Sequence, residues 1–150
     1  MHDSNDHLSL RQAVETDEVL LFNWANDPVV RKWSYSKTSI SLCDHKKWFK
    51  KKLNDPRVSI WIFEDHNSPA GMVRLENKDN KVLLNYLIAS QSRGKKLASE
   101  MLRITMNEVR NHWDNTKVFA YTLPGNIASI KSLEKAGFCL EYSNDGKNCY

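Results

Sequence analysis

Apolar positions along the 150-residue chain switch between two spacings, and each switch marks a boundary between elements. Leu8 to Val14 alternates apolar and polar residues, the signature of a half-buried strand. Thr16 is positioned to cap a following helix in which Leu20, Leu21 and Trp24 share one face, and Asp27-Pro28 ends it. Residues 29–40 read as a loop. Ser41 with Asp44 three positions on resembles a capping box opening a helix to Leu53, with Leu42, Phe49 and Leu53 on its apolar side and Trp48 at the edge. Strands are expected at Val58–Glu64, Ala70–Glu76 and Val82–Ala89, parted by polar turns. A long helix is expected from Arg93 to His112, its stripe formed by Ala98, Met101, Leu102, Thr105, Met106 and Val109, with Trp113 just beyond. Lys117–Thr122 reads as a strand, Asn126–Ala136 as a helix closed by Gly137, and Phe138–Tyr142 as a strand. Asn144-Asp145-Gly146 then turns the chain into a last strand from Lys147.

Antiparallel strands followed by a strand–helix–strand crossover imply a single α/β domain: a mixed, mostly antiparallel sheet of about seven strands flanked by four helices. Residues 1–7 are too polar to join it and read as a tail. No apolar run is long enough to span a bilayer, and the polar start is unlike a signal peptide. Cys43, Cys139 and Cys149 show no CxxC spacing and read as reduced thiols, so a cytoplasmic protein is expected. The five histidines do not fall at ligand spacing with these cysteines, so no metal is expected. A net charge of +4 suits an anionic small molecule, but it is too weak and too dispersed to indicate a nucleic-acid partner.

The chemistry concentrates in Leu83–Leu102. A buried strand runs through Leu87-Ile88-Ala89 into the basic turn Arg93-Gly94-Lys95-Lys96 and then into an amphipathic helix beginning Leu97-Ala98. A helix N-terminus offers free N–H groups and the positive end of its dipole, so this junction can cradle a pyrophosphate. Downstream, Asn126 and Ser129 open a helix that ends Leu133-Glu134-Lys135-Ala136-Gly137-Phe138.

Together these two segments resemble the GNAT superfamily of N-acetyltransferases. Arg93, Lys96 and Ala98 fall on the positions of its R/Q-x-x-G-x-G/A acetyl-CoA motif, with Gly94 a frequent additional glycine. Residues 126–138 are similar to its N-x-x-A/S-x-x-x-Y-E-K-x-G-F segment. The resemblance implies acetyl-CoA as co-substrate, with pantetheine lying between the fourth and fifth strands against the backbone of Leu87, Ile88 and Ala89. It also implies that Asn126 and Ser129 touch CoA; Asn126 serves equally as a plain helix cap. Lys96 replaces a family glycine and is expected to keep a helix-like φ. Leu133 replaces the usual tyrosine acid. The candidates for proton transfer are then Glu76, Asn85 with a water, and Tyr86 on the amine side, and Tyr121 on the thiolate side. Glu76 could equally be a residue exposed at a strand end.

The N-terminal helices carry Trp24-x-Asn26-Asp27-Pro28-x-Val30-Arg31 and His45-x-x-Trp48-Phe49. This pattern is similar to acetyltransferases of nucleotide-linked amino sugars, as in pseudaminic acid biosynthesis. A UDP-amino sugar acceptor is therefore expected, with Arg31 and Lys47 on the diphosphate and Trp33, Tyr35 or Trp48 stacked on a ring. Acetylation of a protein N-terminus or small amine, or CoA binding without catalysis, are the alternatives. A last strand cut short at Tyr150 could leave an edge for a homodimer.

Overall fold

The computed structural model describes residues 7–112, 116–144 and 147–150. Seven strands form one sheet: β1 (Leu8–Gln12), β2 (Val58–Asp65), β3 (Ser68–Lys78), β4 (Lys81–Ile88), β5 (Lys117–Thr122), β6 (Tyr142–Asn144) and β7 (Lys147–Cys149), in the order β1-β2-β3-β4-β5-β7-β6. Only β4 and β5 run parallel, joined by the helical crossover that such a pair needs. The fold class is as expected, an α/β mixed sheet.

Five helices are present among the described residues: α1 (Glu18–Ala25), α2 (Pro28–Lys32), α3 (Leu42–Leu53), α4 (Leu97–His112) and α5 (Ile127–Lys135). Strand alternation sends Phe63, Val73, Leu75, Val82 and Leu84 to one face, where they pack with Met101, Leu102, Val109 and Leu133 of α4 and α5. The opposite face holds Ile60, Ile62 and Ala89 under Leu21, Trp24 and Phe49 of α1 and α3. Trp24 and Phe49 are core anchors. No helix among the described residues is long and apolar enough to cross a membrane.

Several boundaries differ from expectation for physical reasons. Asp27-Pro28 does not simply end a helix. Asp27 caps α2 by accepting from Val29 N–H at 2.8 Å, and Pro28, which has no N–H to waste, sits in its first turn. The N-cap of α1 is Asp17 rather than Thr16, and its carboxylate makes no cap bond to α1: it reaches back over a short 3-10 turn, accepting from Val14 N–H at 2.8 Å and from both Arg11 Nη groups. Leu42 is 43% exposed, and His45 occupies the buried position instead. Ser41 does cap α3, accepting from Asp44 N–H at 3.1 Å. Strand pairing near the C-terminus begins only at Tyr142, with Cys139 and Leu140 exposed before it. Trp113 and the Asp145-Gly146 turn lie outside the described residues. Nor is His7 part of a tail. It stacks on His66 with ring centroids 4.1 Å apart, and both rings meet Asp65.

Candidate active site

The site arises because β4 and β5 begin as a parallel pair and then part. Their register runs from Lys81 with Lys117 to Leu84 with Ala120 and stops there. Beyond that point Tyr121 and Thr122 pair with β7 instead, and Ala120 exchanges two hydrogen bonds with Tyr150, at 2.9 and 2.8 Å. Residues Asn85–Ile88 are thus left with β3 on one side and a gap on the other.

The direction of the free backbone groups follows from strand alternation. Ala89 N–H donates to Ala70 C=O at 2.8 Å, so Ala89, and by parity Leu87 and Asn85, point their N–H and C=O groups at β3. Tyr86 and Ile88 therefore aim theirs into the gap. This corrects the expected trio: of Leu87, Ile88 and Ala89, only Ile88 presents backbone donors and acceptors to the gap, and Tyr86 joins it. Close approach of β3 at this point depends on Gly71, where an added Cβ would lie 2.6 Å from the Leu87 carbonyl oxygen.

A cavity of about 640 Å³ fills the gap and reaches the start of α4. Arg93, Gly94, Lys96, Leu97 and Ala98 line one end, and Asn126 and Ser129 of the α5 turn line the other side. Lys95 is exposed and lines neither this cavity nor its neighbour. Gly94 and Lys96 have φ of +79° and +59°. The expectation that Lys96 keeps a helix-like φ is wrong: the turn needs the left-handed region before α4 can start, and lysine occupies a position where glycine would be unstrained. For the same reason α4 begins at Leu97 rather than at Arg93. Arg93 pairs with Asp27 at 3.1 Å, tying the turn to the cap of α2.

Asn126 both lines the cavity and caps α5, accepting from Ser129 N–H at 3.3 Å. The Tyr86 hydroxyl bonds to Ser129 Oγ, and burial raises its pKa to about 12 against the opposing effect of that bond. Such a group is no base near neutrality. Leu133, at the family's tyrosine position, is fully buried in the core. Tyr121 lines the cavity at the lip of β5, with the Lys147 ammonium 4.3 Å from its ring centre. Trp33 and Tyr35 face this same cavity rather than a separate acceptor site.

A second cavity, of about 560 Å³, lies under α1 and α3 and meets the first at Val30, Ser34, Asn85, Tyr86 and Leu87. Trp48, His45, Arg31 and Arg74 line it. Lys47 lines neither cavity and is exposed. Arg31 is committed elsewhere. Its guanidinium donates to the carbonyls of Ala25 at 2.7 Å, Ser36 at 3.1 Å and Thr38 at 3.3 Å, and to Ser34 Oγ, holding the loop after α2. The expected diphosphate clamp of Arg31 and Lys47 is therefore not assembled.

Glu76 is not in either cavity. It accepts from Lys52 and lies 3.4 Å from Arg74 Nε. Burial alone would raise its pKa. The bond from Lys52 and the charges of Arg74, Lys52 and Lys78 outweigh burial and hold it below the usual carboxylate range. A low-pKa carboxylate already in an ion pair is a poor general base, so that expectation is corrected as well. His45 was not foreseen. It is buried, its Nε2–H donates to Glu18 C=O at 3.0 Å, and burial lowers its pKa against that bond, leaving a neutral imidazole. Arg74 also went unnoticed, though the sequence carries a signal: Met72, Arg74 and Glu76 alternate with core residues, placing two charges on a face that α3 must cover.

A family model described as an acetyltransferase (GNAT) domain matches residues 7–139. The chain belongs to the GNAT acetyltransferases. It is an acetyl-CoA-dependent N-acetyltransferase, and the first cavity fits that co-substrate: it offers strand-like backbone groups to an amide-bearing arm and a basic turn at a helix N-terminus to phosphates. The buried Thr122 Oγ1, without a hydrogen-bond partner among the described residues, adds a further polar group there.

Among relatives, the aminoglycoside N(6')-acetyltransferase type 1 of Klebsiella pneumoniae is 26% identical over 151 residues, covering 90% of this chain and 75% of the relative. The uncharacterized protein YkkB of Bacillus subtilis is 29% identical over 140 residues, covering 88% of this chain and 81% of its own. Two solved GNAT structures share the fold. Spermidine N-acetyltransferase from Vibrio cholerae, with CoA and spermine, superposes with a TM-score of 0.84 at 17% identity over 97% of this chain and 93% of that one. Aminoglycoside acetyltransferase AAC(6')-Ib, with coenzyme A and kanamycin, gives 0.80 at 21% identity, over 95% and 94%. The relatives named for an activity are aminoglycoside and spermidine acetyltransferases, so the expected likeness to pseudaminic acid-type acetyltransferases gains no support.

Proposed function

We propose that this GNAT enzyme acetylates a small-molecule amine that reaches the gap through the second cavity. The observation that carries the reading is the meeting of the two cavities at Asn85–Leu87, where β4 has lost β5 as a neighbour. Acetyl-CoA, when bound, supplies the acetyl thioester that the amine nitrogen attacks. The chain's own contribution is positional and electrostatic. The Gly94–Lys96 turn and the α4 N-terminus hold the phosphates, and the backbone of Tyr86 and Ile88 holds the arm and offers N–H donors where negative charge develops. As the C–N bond forms and the C–S bond breaks, the nitrogen loses its extra proton to water; we assign the proton gained by the departing sulfur to Tyr121 Oη, which water then reprotonates, since Leu133 is apolar and Tyr86 is tied to Ser129.

The aminoglycoside and spermidine acetyltransferases among the relatives favour a small amine over a protein N-terminus. A UDP-amino sugar is disfavoured, because Arg31 is committed to carbonyls, Lys47 is outside the cavity, and Trp33 faces the cofactor side. Free Cys43, Cys139 and Cys149 support work in a reducing compartment, which we take to be the cytoplasm. Free-thiol release from acetyl-CoA, measured against small primary amines, UDP-4-amino sugars and N-terminal peptides, tests this. Turnover confined to the small amines is expected. Turnover confined to peptides would overturn the acceptor class, and acetyl-CoA binding without turnover on any amine would overturn catalysis.

A further inference from the structure

The acceptor cavity carries an electrostatic preference that its relatives' substrates would not lead one to expect. Arg74 on β3 and Asn85 on β4 are direct cross-strand partners, so their side chains lie side by side on the same face of the sheet. Both line the second cavity. The Arg74 guanidinium packs over the Trp48 ring, 5.1 Å from its centre. Its one charged neighbour is Glu76, at 3.4 Å from Nε, and that carboxylate is shared with Lys52. Among the described residues Arg74 Nε and Asn85 Nδ2 are both buried without a hydrogen-bond partner. Two adjacent donor groups lining one cavity thus each keep a buried nitrogen without a hydrogen bond, and Glu76 meets Arg74 only as a charge it shares with Lys52.

The rest of the lining does nothing to reverse that polarity. The one acidic residue in it is Asp44, exposed at the rim. His45 is neutral, and Arg31 is satisfied by carbonyls. A polycation entering here would meet a half-buried guanidinium and lose hydration without gaining a buried carboxylate. An oxyanion would meet a planar fork of N–H donors, backed by Trp48 and flanked by a carboxamide.

We propose that Arg74 and Asn85 form an anion subsite, and that the acceptor amine carries an acidic group, a carboxylate or phosphate, seated there. The proposal rests on the second cavity being the acceptor site. It sets the charge of the substrate opposite to that of aminoglycosides and polyamines. Arg74 and Asn85 bind substrate through the acid, while the amine lies towards Tyr86, Leu87 and the gap.

The test uses the full chain and matched acceptors differing in the acid: β-alanine with β-alaninamide, 4-aminobutyrate with 4-aminobutanamide, and O-phosphoethanolamine with ethanolamine, alongside spermidine and kanamycin. The expected result is a kcat/KM at least about tenfold higher for the acidic member of at least one pair. The first two pairs against the third identify whether carboxylate or phosphate is the group read. Arg74→Gln should collapse that ratio towards one, and Asn85→Leu should reduce it, providing a second probe should Arg74→Gln fail to fold. Calorimetric titration of the CoA-saturated protein with the same pairs gives an answer independent of turnover. Acid members binding more tightly than their amides with no turnover would support the subsite while overturning the proposed catalysis. Amides or spermidine binding as tightly as the acids, or an acid preference unchanged in Arg74→Gln, would overturn the subsite.

Discussion

Replacing Lys96 with glycine isolates a local conflict between backbone and charge. Lys96 sits at φ +59°, in a turn that must bend sharply before α4 begins. A side chain in the left-handed region costs about 1–2 kcal/mol. Glycine removes that strain but gives up about 0.5–1 kcal/mol, because its unfolded chain is freer. The net is a gain of about 0.5–1 kcal/mol, or about 2 °C in Tm for a domain of this size. Lysine nevertheless contributes a charge at the end of the cavity where we place the phosphates. Lys96→Gly and Lys96→Ala should both weaken CoA binding, by a few-fold at low salt and less at high salt. Only the glycine variant relieves the backbone. Thermal melts of the three proteins with CoA titrations at two ionic strengths therefore separate the effects. Lys96→Gly should melt above Lys96→Ala while binding CoA no better. A glycine variant that melts no higher than the alanine variant would refute the strain argument.

Other substitutions probe the packing around the site. Glu76→Gln should destabilise the fold by about 2 kcal/mol by leaving Lys52 and Arg74 without their shared carboxylate. Because the Glu76 pKa is lowered on folding, its stabilisation is present above the ordinary carboxylate range and is lost as pH falls through the lowered value. Denaturant melts at pH 7 and pH 3 should differ less in the variant, and the neutral-pH limb of kcat/KM should not move. His45 is held neutral, so its folded pKa lies below its unfolded one, and protonation favours unfolding. Wild-type stability should therefore drop as pH falls below about 6.5, with a shallower drop in His45→Gln. Gly71→Ala drives a Cβ to within 2.6 Å of the Leu87 carbonyl oxygen and should cost about 2 kcal/mol, read as a lower denaturation midpoint.

The central strands were legible because each buries a defined face. Val73 and Leu75 answer to one layer of helices, and Ile60 and Ile62 to the other, so their spacing is forced by the core. Helix α2 was missed because Asp27-Pro28 reads equally as a stop and as a start, and which of the two holds depends on the Val29 N–H that Asp27 satisfies. The lining of the first cavity was legible at Arg93–Ala98, Lys95 apart, and at Asn126 and Ser129, because contiguous motifs carry those residues. Backbone direction was not. That Tyr86 and Ile88 face the gap, while Leu87 and Ala89 face β3, follows from sheet register, which hydropathy does not encode. The acceptor side was read least well. Its aromatic residues are divided between the cavities, Trp33 to one and Trp48 to the other, and Arg31 is turned inward by loop carbonyls that no motif announces.

Amide chemical shifts during titration of the labelled protein with CoA test most directly whether CoA lies along the open edge of β4. The N–H groups of Tyr86 and Ile88 should move most on that strand, together with those of the Gly94–Lys96 turn, while Asn85, Leu87 and Ala89, bonded to β3, move little. Shifts centred on Leu87 and Ala89, or confined to residues lining only the second cavity such as Trp48 and Thr38, would contradict it.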